Sequence, residues 1–353
     1  MTVRSWIDGA MRKKDAGLLA LVVLRPLSFV YGAAVRARAL FYRLNILPSY
    51  ALPRKVVSVG NITVGGTGKT PVTIFLAGFF QKSGRKVVVL SRGYKGSSKG
   101  AAIVSDGKEI LLGPEEAGDE PYLMATRLKG VPVVVCADRV KGGRFIIERF
   151  SPDVILLDDA FQHLRLRRDV NIVLIDGAEG FGPGYLIPRG TLREPISSMR
   201  RADIALVKGG LPEGREREAL KRYSVPCMPF NYSPTAIYDI ITGEERPALF
   251  IAGKKIVPVC GIANPPSFLS TLAGLGALVE GPLVFPDHHA YDEKDIAAIE
   301  KAAASSMVLT TEKDACKLKA RIKCANVWAL RIDAEMEQAQ FDTYLSPVLR
   351  GVW

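Results

Sequence analysis

The chain is poor in the side chains that build disulfide frames and metal clusters. Its five cysteines (Cys136, Cys227, Cys260, Cys316, Cys324) are odd in number and form no C-x-x-C pair. That excludes a disulfide scaffold or a zinc site of familiar spacing, and fits reduced core cysteine in a cytoplasmic protein. Only three histidines occur, His163, His288 and His289. There is no low-complexity tract and no periodic repeat. The uncharged run 16–24 is too short to span a bilayer, and Arg25-Pro26 interrupts it. No small-residue cleavage site follows a clean apolar core, so a removable signal peptide is not expected. Recognition helices, zinc-finger spacings and aromatic-studded basic strands are also missing, which ranks nucleic acid last among anionic partners. Nothing points to an obligate protein partner.

What is present is a phosphate loop. The apolar run Val56-Val57-Ser58-Val59 enters Gly60-Asn61-Ile62-Thr63-Val64-Gly65-Gly66-Thr67-Gly68-Lys69-Thr70-Pro71. Glycines let backbone N–H groups converge on phosphate oxygens where a Cβ would clash. Gly65, Gly66, Thr67 and Gly68 are the expected cradle, Lys69 the counter-charge to the β/γ-phosphates, and Thr70 the hydroxyl on Mg²⁺. The helix expected from about residue 69 turns its positive end to the same anion. Thr63 stands where the strict pattern has glycine, and Val64 stands where partition-type ATPases carry an extra lysine.

At 353 residues and 48% hydrophobic, the chain can build two cores. From Lys55 onward, apolar runs at 55–60, 86–91, 131–137, 153–158, 169–176 and 203–208 alternate with helical stretches near 69–82, 115–128, 140–149 and 214–223. This pattern predicts an α/β fold: a P-loop NTPase-like parallel sheet flanked by helices, with ligands beyond the strand C-termini. Residues 51–228 are the expected kinase-like domain and 229–254 a Pro/Gly-punctuated linker or hairpin. Residues 255–353 form a smaller α/β domain, with strands near 255–261, 278–285, 306–311 and 326–332 and a last helix at 335–350. The glycine-rich stretch 176–195 is a long loop, and loops of that length in compact domains are usually functional or disordered.

Charge is concentrated at the N-terminus. Of the net +12, residues 1–55 hold ten Lys/Arg against Asp8 and Asp15. The same stretch is rich in Leu, Val, Phe and Tyr. Residues 1–50 therefore suit a basic, apolar membrane-associating helix, with a basic helix packed on its own domain as the alternative.

The strand 153–158 ends in Asp158-Asp159, the expected carboxylate partners of Mg²⁺, and the residues alone do not choose between them. Ala160-Phe161-Gln162-His163 follow. Asp119 in Gly118-Asp119-Glu120-Pro121 fits a helix N-cap. Asp287-His288-His289 offers a carboxylate–imidazole pair or a solvated turn.

Taken together, these motifs resemble the tetraacyldisaccharide 4′-kinase family, the lipid A 4′-kinases of Gram-negative bacteria. The resemblance rests on the phosphate loop Val59 to Pro71, Ser91-Arg92-Gly93-Tyr94, Gly118-Asp119-Glu120-Pro121 and Asp138-Arg139. It rests also on Asp158-Asp159-Ala160-Phe161-Gln162-His163, Leu192-Arg193-Glu194-Pro195 and Phe285-Pro286-Asp287-His288-His289. They occur in family order over about 55 to 315, with Ala160 where glycine is common. The resemblance implies ATP- and Mg²⁺-dependent phosphorylation of the 4′-hydroxyl of an anionic acylated disaccharide lipid, at the cytoplasmic face of the inner membrane. It implies Asp119 as the acceptor base and His288 as the residue that orients it from the second domain. On that reading Lys69 and Asp159 serve catalysis, Arg139 and Arg193 are candidates for phosphate stabilisation or for recognition of the acceptor's 1-phosphate, and Gln162, His163 and Glu194 are further candidates for substrate contact. A membrane-associated P-loop ATPase or GTPase switch, without a lipid acceptor, is the alternative. It leaves Asp119, the 176–195 loop and Asp287-His288 without a role.

Overall fold

The computed structural model describes residues 20–65, 68–94 and 96–351. Gly66 and Thr67 of the phosphate loop and residues 1–19 of the N-terminal segment lie outside them. Chain contacts divide the protein into two compact units.

The first unit holds the described residues of 20–92, 136–231 and 335–351. Its sheet is parallel, in the order Cys227–Asp239, Ile204–Lys208, Val170–Asp176, Lys55–Asn61, Val154–Asp158, Val87–Ser91. The strands are continuous apolar runs because both faces are covered: Val56, Val57, Val59, Ile155, Leu156 and Leu157 are all buried. Register is what positions the chemistry. Val59 pairs with Asp158, so the aspartate pair falls beside the point where the first strand passes into the glycine loop. The approach is close there, since a Cβ on Gly60 would lie 2.7 Å from the Cβ of Phe161. Gly68, at φ +73°, then turns the chain into the helix Lys69–Lys82. The last segment returns to this unit, with Phe341 edge-on to Phe75 and Phe79 of that helix.

The second unit holds residues 93–135 and 232–334. Its parallel strands run Leu278–Val279, Lys255–Cys260, Met307–Thr311, Val327–Glu335, with Leu283–Val284 also on Lys255–Cys260. Ala102–Ser105 and Val133–Val135 form an antiparallel pair, and the end of Cys227–Asp239 forms a hairpin with Glu245–Pro247.

This division differs from the linear one of 51–228 followed by 255–353. Residues 93–135 belong with the C-terminal half because Arg127 donates both to Glu312, at 2.9 Å, and to Asp333. The single helix expected over 115–128 is two, Pro114–Ala117 and Asp119–Arg127, broken at Gly118 with φ +89°. Gly118, not Asp119, occupies the cap position, which leaves the Asp119 carboxylate available for other partners.

Candidate active site

In the first unit, the tip of the Val154–Asp158 strand sends its two carboxylates to different partners. Asp158 is 1% exposed. Thr73 donates to its Oδ1 at 3.2 Å and Ser91 to its Oδ2 at 3.3 Å. Thr70, also buried, lies one helical turn before Thr73 and so on the same helix face. Asp159 takes a left-handed backbone, φ +47°, a conformation that costs roughly 1–3 kcal/mol unless its surroundings hold it. They do hold it: Arg193 reaches Oδ1 and Oδ2 at 3.0 and 3.1 Å, and Lys69 lies 3.6 Å away. Burial pushes the Asp159 carboxyl up, but Lys69 and Arg193 more than offset this and hold it below its ordinary value.

Arg193 is delivered by the 176–195 loop, which is neither helix nor strand over most of its length. Phe181, Leu186 and Leu192 are buried in the core and hold it in place, each contributing on the order of 1.5–3 kcal/mol. Main-chain bonds then strap it to the phosphate loop: Val64 donates to Thr191, and Arg193 to Ile62, both at 2.7 Å.

The remaining expected residues of this unit are engaged in holding its framework. Arg139 is 2% exposed and donates to the carbonyls of Cys136 and Asp158 at 2.9 and 3.3 Å. Glu194 is buried against Arg201. Gln162 donates to the Asn61 carbonyl at 2.7 Å. His163 is held neutral: burial, then Arg139 and Arg168, push it down to about 4, and its Nε2 has no hydrogen-bond partner among the described residues.

The helix Arg25–Arg43 docks by one face on the same loop. Ser28 donates to Leu186, Tyr31 to the Arg193 carbonyl and Arg38 to the Gln162 carbonyl, at 2.7, 2.8 and 2.8 Å. Its other face is bare, with Phe29, Val30 and Leu27 at 77%, 65% and 51% exposure. The packed side matches the expectation of a basic helix docked on its own domain; residues 1–19 of the expected membrane-associating segment lie outside the described residues. Among the described residues, no helix is long and apolar enough to cross a membrane.

The second unit brings together Asp119 and His288, 169 positions apart, with His288 Nδ1 3.0 Å from Asp119 Oδ2. His288 sits in a tight turn at φ +59°, fixed by its N–H donating to Gly261. Two lysines that sequence reasoning passed over complete the cluster. Lys313 and Lys317 lie four apart on the helix Glu312–Leu318, hence on one face. Lys317 Nζ is 3.4 Å from Asp119 Oδ2, and Lys313 Nζ is 3.1 Å from His288 Nε2. Burial raises the Asp119 carboxyl, but the hydrogen bond from His288 and the charge of Lys317 outweigh it and hold it below its ordinary value. Tyr94 stands edge-on to the His288 ring, 5.7 Å between centroids. The four-residue spacing of the lysines was the one signal available, and nothing local ties it to a histidine 25 residues earlier.

A parallel sheet whose strand tips carry a glycine turn ending in Gly-Lys-Thr beside a paired aspartate defines a P-loop nucleotide-binding α/β protein. Residues 20–350 match the sequence profile of tetraacyldisaccharide-1-P 4′-kinase. A tetraacyldisaccharide 4′-kinase of Syntrophus aciditrophicus (strain SB) is 42% identical over 339 residues, covering 91% of this chain and 90% of the relative. One of Desulfatibacillum aliphaticivorans is 40% identical over 99% of both. Among solved structures, the apo form of LpxK from Aquifex aeolicus in complex with ATP superposes with a TM-score of 0.78 at 32% identity, covering 95% of this chain and all of that one. The chain belongs to the tetraacyldisaccharide-1-P 4′-kinase family.

Proposed function

We propose that this chain transfers the γ-phosphoryl group of ATP to the 4′-hydroxyl of a tetraacylated disaccharide 1-phosphate, the phosphorylation step that lipid A synthesis requires. The observation that carries the reading is the family match over 20–350, in a chain whose described phosphate-loop residues, strand-end carboxylates and Asp–His pair are all intact. A bond forms between the acceptor oxygen and the γ-phosphorus while the β,γ-bridging bond breaks and ADP leaves. Because the transition state is loose, positioning and charge neutralisation contribute most. Lys69 and Arg193, which pair with Asp159 here, transfer their charge to the β/γ oxygens when nucleotide binds. Arg139 acts through the framework, by holding the carbonyl of Asp158.

The donor set suits Mg²⁺. Among the described residues no three His, Cys, Asp or Glu side chains cluster, so a cage of protein ligands is missing. P-loop sites bind this ion through phosphates plus one or two protein oxygens, and Thr70 and Asp158 would supply those oxygens here. When bound, the ion neutralises charge on the β and γ oxygens. Asp119 accepts the acceptor proton and His288 orients it.

The exposed apolar face of Arg25–Arg43 seats the enzyme on the bilayer, at its ATP-bearing cytoplasmic side. Arginines of that helix attract anionic headgroups, including the 1-phosphate. The test is incubation with γ-labelled ATP, Mg²⁺ and the disaccharide lipid in detergent. Label should move to the lipid, and Lys69→Ala should slow that transfer roughly a hundredfold or more. Unlabelled lipid after full ATP consumption would contradict the reading.

A further inference from the structure

The lysines around the Asp119–His288 pair decide which protons the pair carries. An ammonium has three donors and no acceptor, so a ring nitrogen in hydrogen-bond reach of it must be the unprotonated one. Lys313 Nζ stands 3.1 Å from His288 Nε2 and is itself paired with Asp287 at 3.2 Å. Nε2 must therefore accept, and the ring proton must be on Nδ1, where the Asp119 carboxylate lies 3.0 Å away. All the groups that face the ring agree. Asp119 meets Nδ1, Lys313 meets Nε2, Tyr94 makes a T-shaped ring contact, and Asp287 Oδ2 is 3.9 Å off, beyond hydrogen-bond range. Lys317, on Asp119 Oδ2, completes an alternating row of Asp287, Lys313, His288, Asp119 and Lys317.

We propose that Lys313 is a positioning residue for the phosphoryl transfer: its ammonium confines His288 to the neutral Nδ1–H form and so directs that proton onto Oδ2 of Asp119. The inference deepens the reading of Asp119 as the acceptor base and rests on it. Among the described residues, the His288 and Lys317 contacts to Asp119 both fall on Oδ2, which leaves Oδ1 for the acceptor hydroxyl. With Nε2 engaged by Lys313, the ring offers no lone pair to the acceptor's proton. The proton lost by the acceptor then ends on the carboxylate, not on the ring. Without Lys313, Nε2 has no donor facing it and is open to a second proton, which would make Asp119 a still weaker base.

The chain's three histidines make the test practicable by NMR on the full-length protein with nitrogen-labelled histidine, the His288→Ala spectrum supplying the assignment. His288 should be neutral and protonated on Nδ1 at pH 7. In Lys313→Met the ring should lose its fixed Nδ1–H tautomer, and kcat should fall roughly tenfold or more, with a pH profile that differs from wild type on its acid side. Lys313→Arg, which keeps a cationic donor, should restore the neutral ring and most of kcat. Acceptor KM should change little in either variant. A wild-type His288 that is imidazolium or protonated on Nε2 overturns the proposal without any variant having to fold. So does a Lys313→Met enzyme with unchanged ring state and pH profile. If the ring behaves as expected but Asp119→Asn retains full turnover, the tautomer assignment stands and it is the base assignment that fails.

Discussion

Asp119 and His163 are both shielded ionisable groups, and their surroundings drive them to opposite charge states. The hydrogen bond from His288 and the charge of Lys317 overcome the burial of Asp119 and hold its carboxyl below the usual range. A carboxyl with a lowered pKa keeps its charge as pH falls until that lowered value is passed. The wild-type kcat/KM should therefore show no acid limb from Asp119 between pH 8 and 5. Asp119→Asn should lower kcat roughly 10²–10⁴-fold with acceptor KM little changed; an effect on KM alone would make Asp119 a binding group. His163 is pushed down to about 4, against about 6.5 in an unfolded chain. Its contribution to stability is present above pH 6.5 and lost as pH falls toward 4, because the unfolded chain then binds the extra proton. Denaturant unfolding of His163→Gln should show a shallower loss of stability across that window, whereas a slope equal to wild type would contradict the assigned neutral state.

At the scale of elements, what the sequence reveals depends on how local the cause is. The strand run and glycine turn from Val56 to Thr70 are legible because period, turn chemistry and Gly-Lys-Thr sit within fifteen residues. The different partners of Asp158 and Asp159 are not, since they depend on Thr73, Ser91 and Arg193 arriving from three other places. The 176–195 loop is legible as a loop from its glycines, but its course along Ile62 and Val64 comes from main-chain pairing that any residue can make. The Arg25–Arg43 helix is similar: its basic, apolar mixture is evident, yet the packed side is set by Gly32, whose missing side chain admits Leu186. Its bare side carries the membrane prediction. Replacing Phe29 and Val30 by serine removes two large apolar contacts, each worth about 1.5–3 kcal/mol when fully buried. Sedimentation with anionic vesicles should show binding reduced at least tenfold, with the fold unchanged by circular dichroism. Unaltered binding would mean that this face does not enter the bilayer.

For the whole molecule, the phosphate loop with its aspartate pair belongs to one unit and the Asp119–His288 pair to the other. That assignment of residues 93–135 was not visible in the sequence, because Arg127 finds its partners 185 and 206 positions away. The division bears on the proposed function, since an ATPase switch needs only the first unit's chemistry, whereas a kinase with Asp119 as its proposed base needs the second as well. Acceptor dependence therefore separates the two most directly. ADP release should be followed with and without the disaccharide lipid at saturating ATP and Mg²⁺. The account predicts one ADP per phosphorylated lipid and almost none without acceptor; ADP released at the same rate in its absence would contradict it.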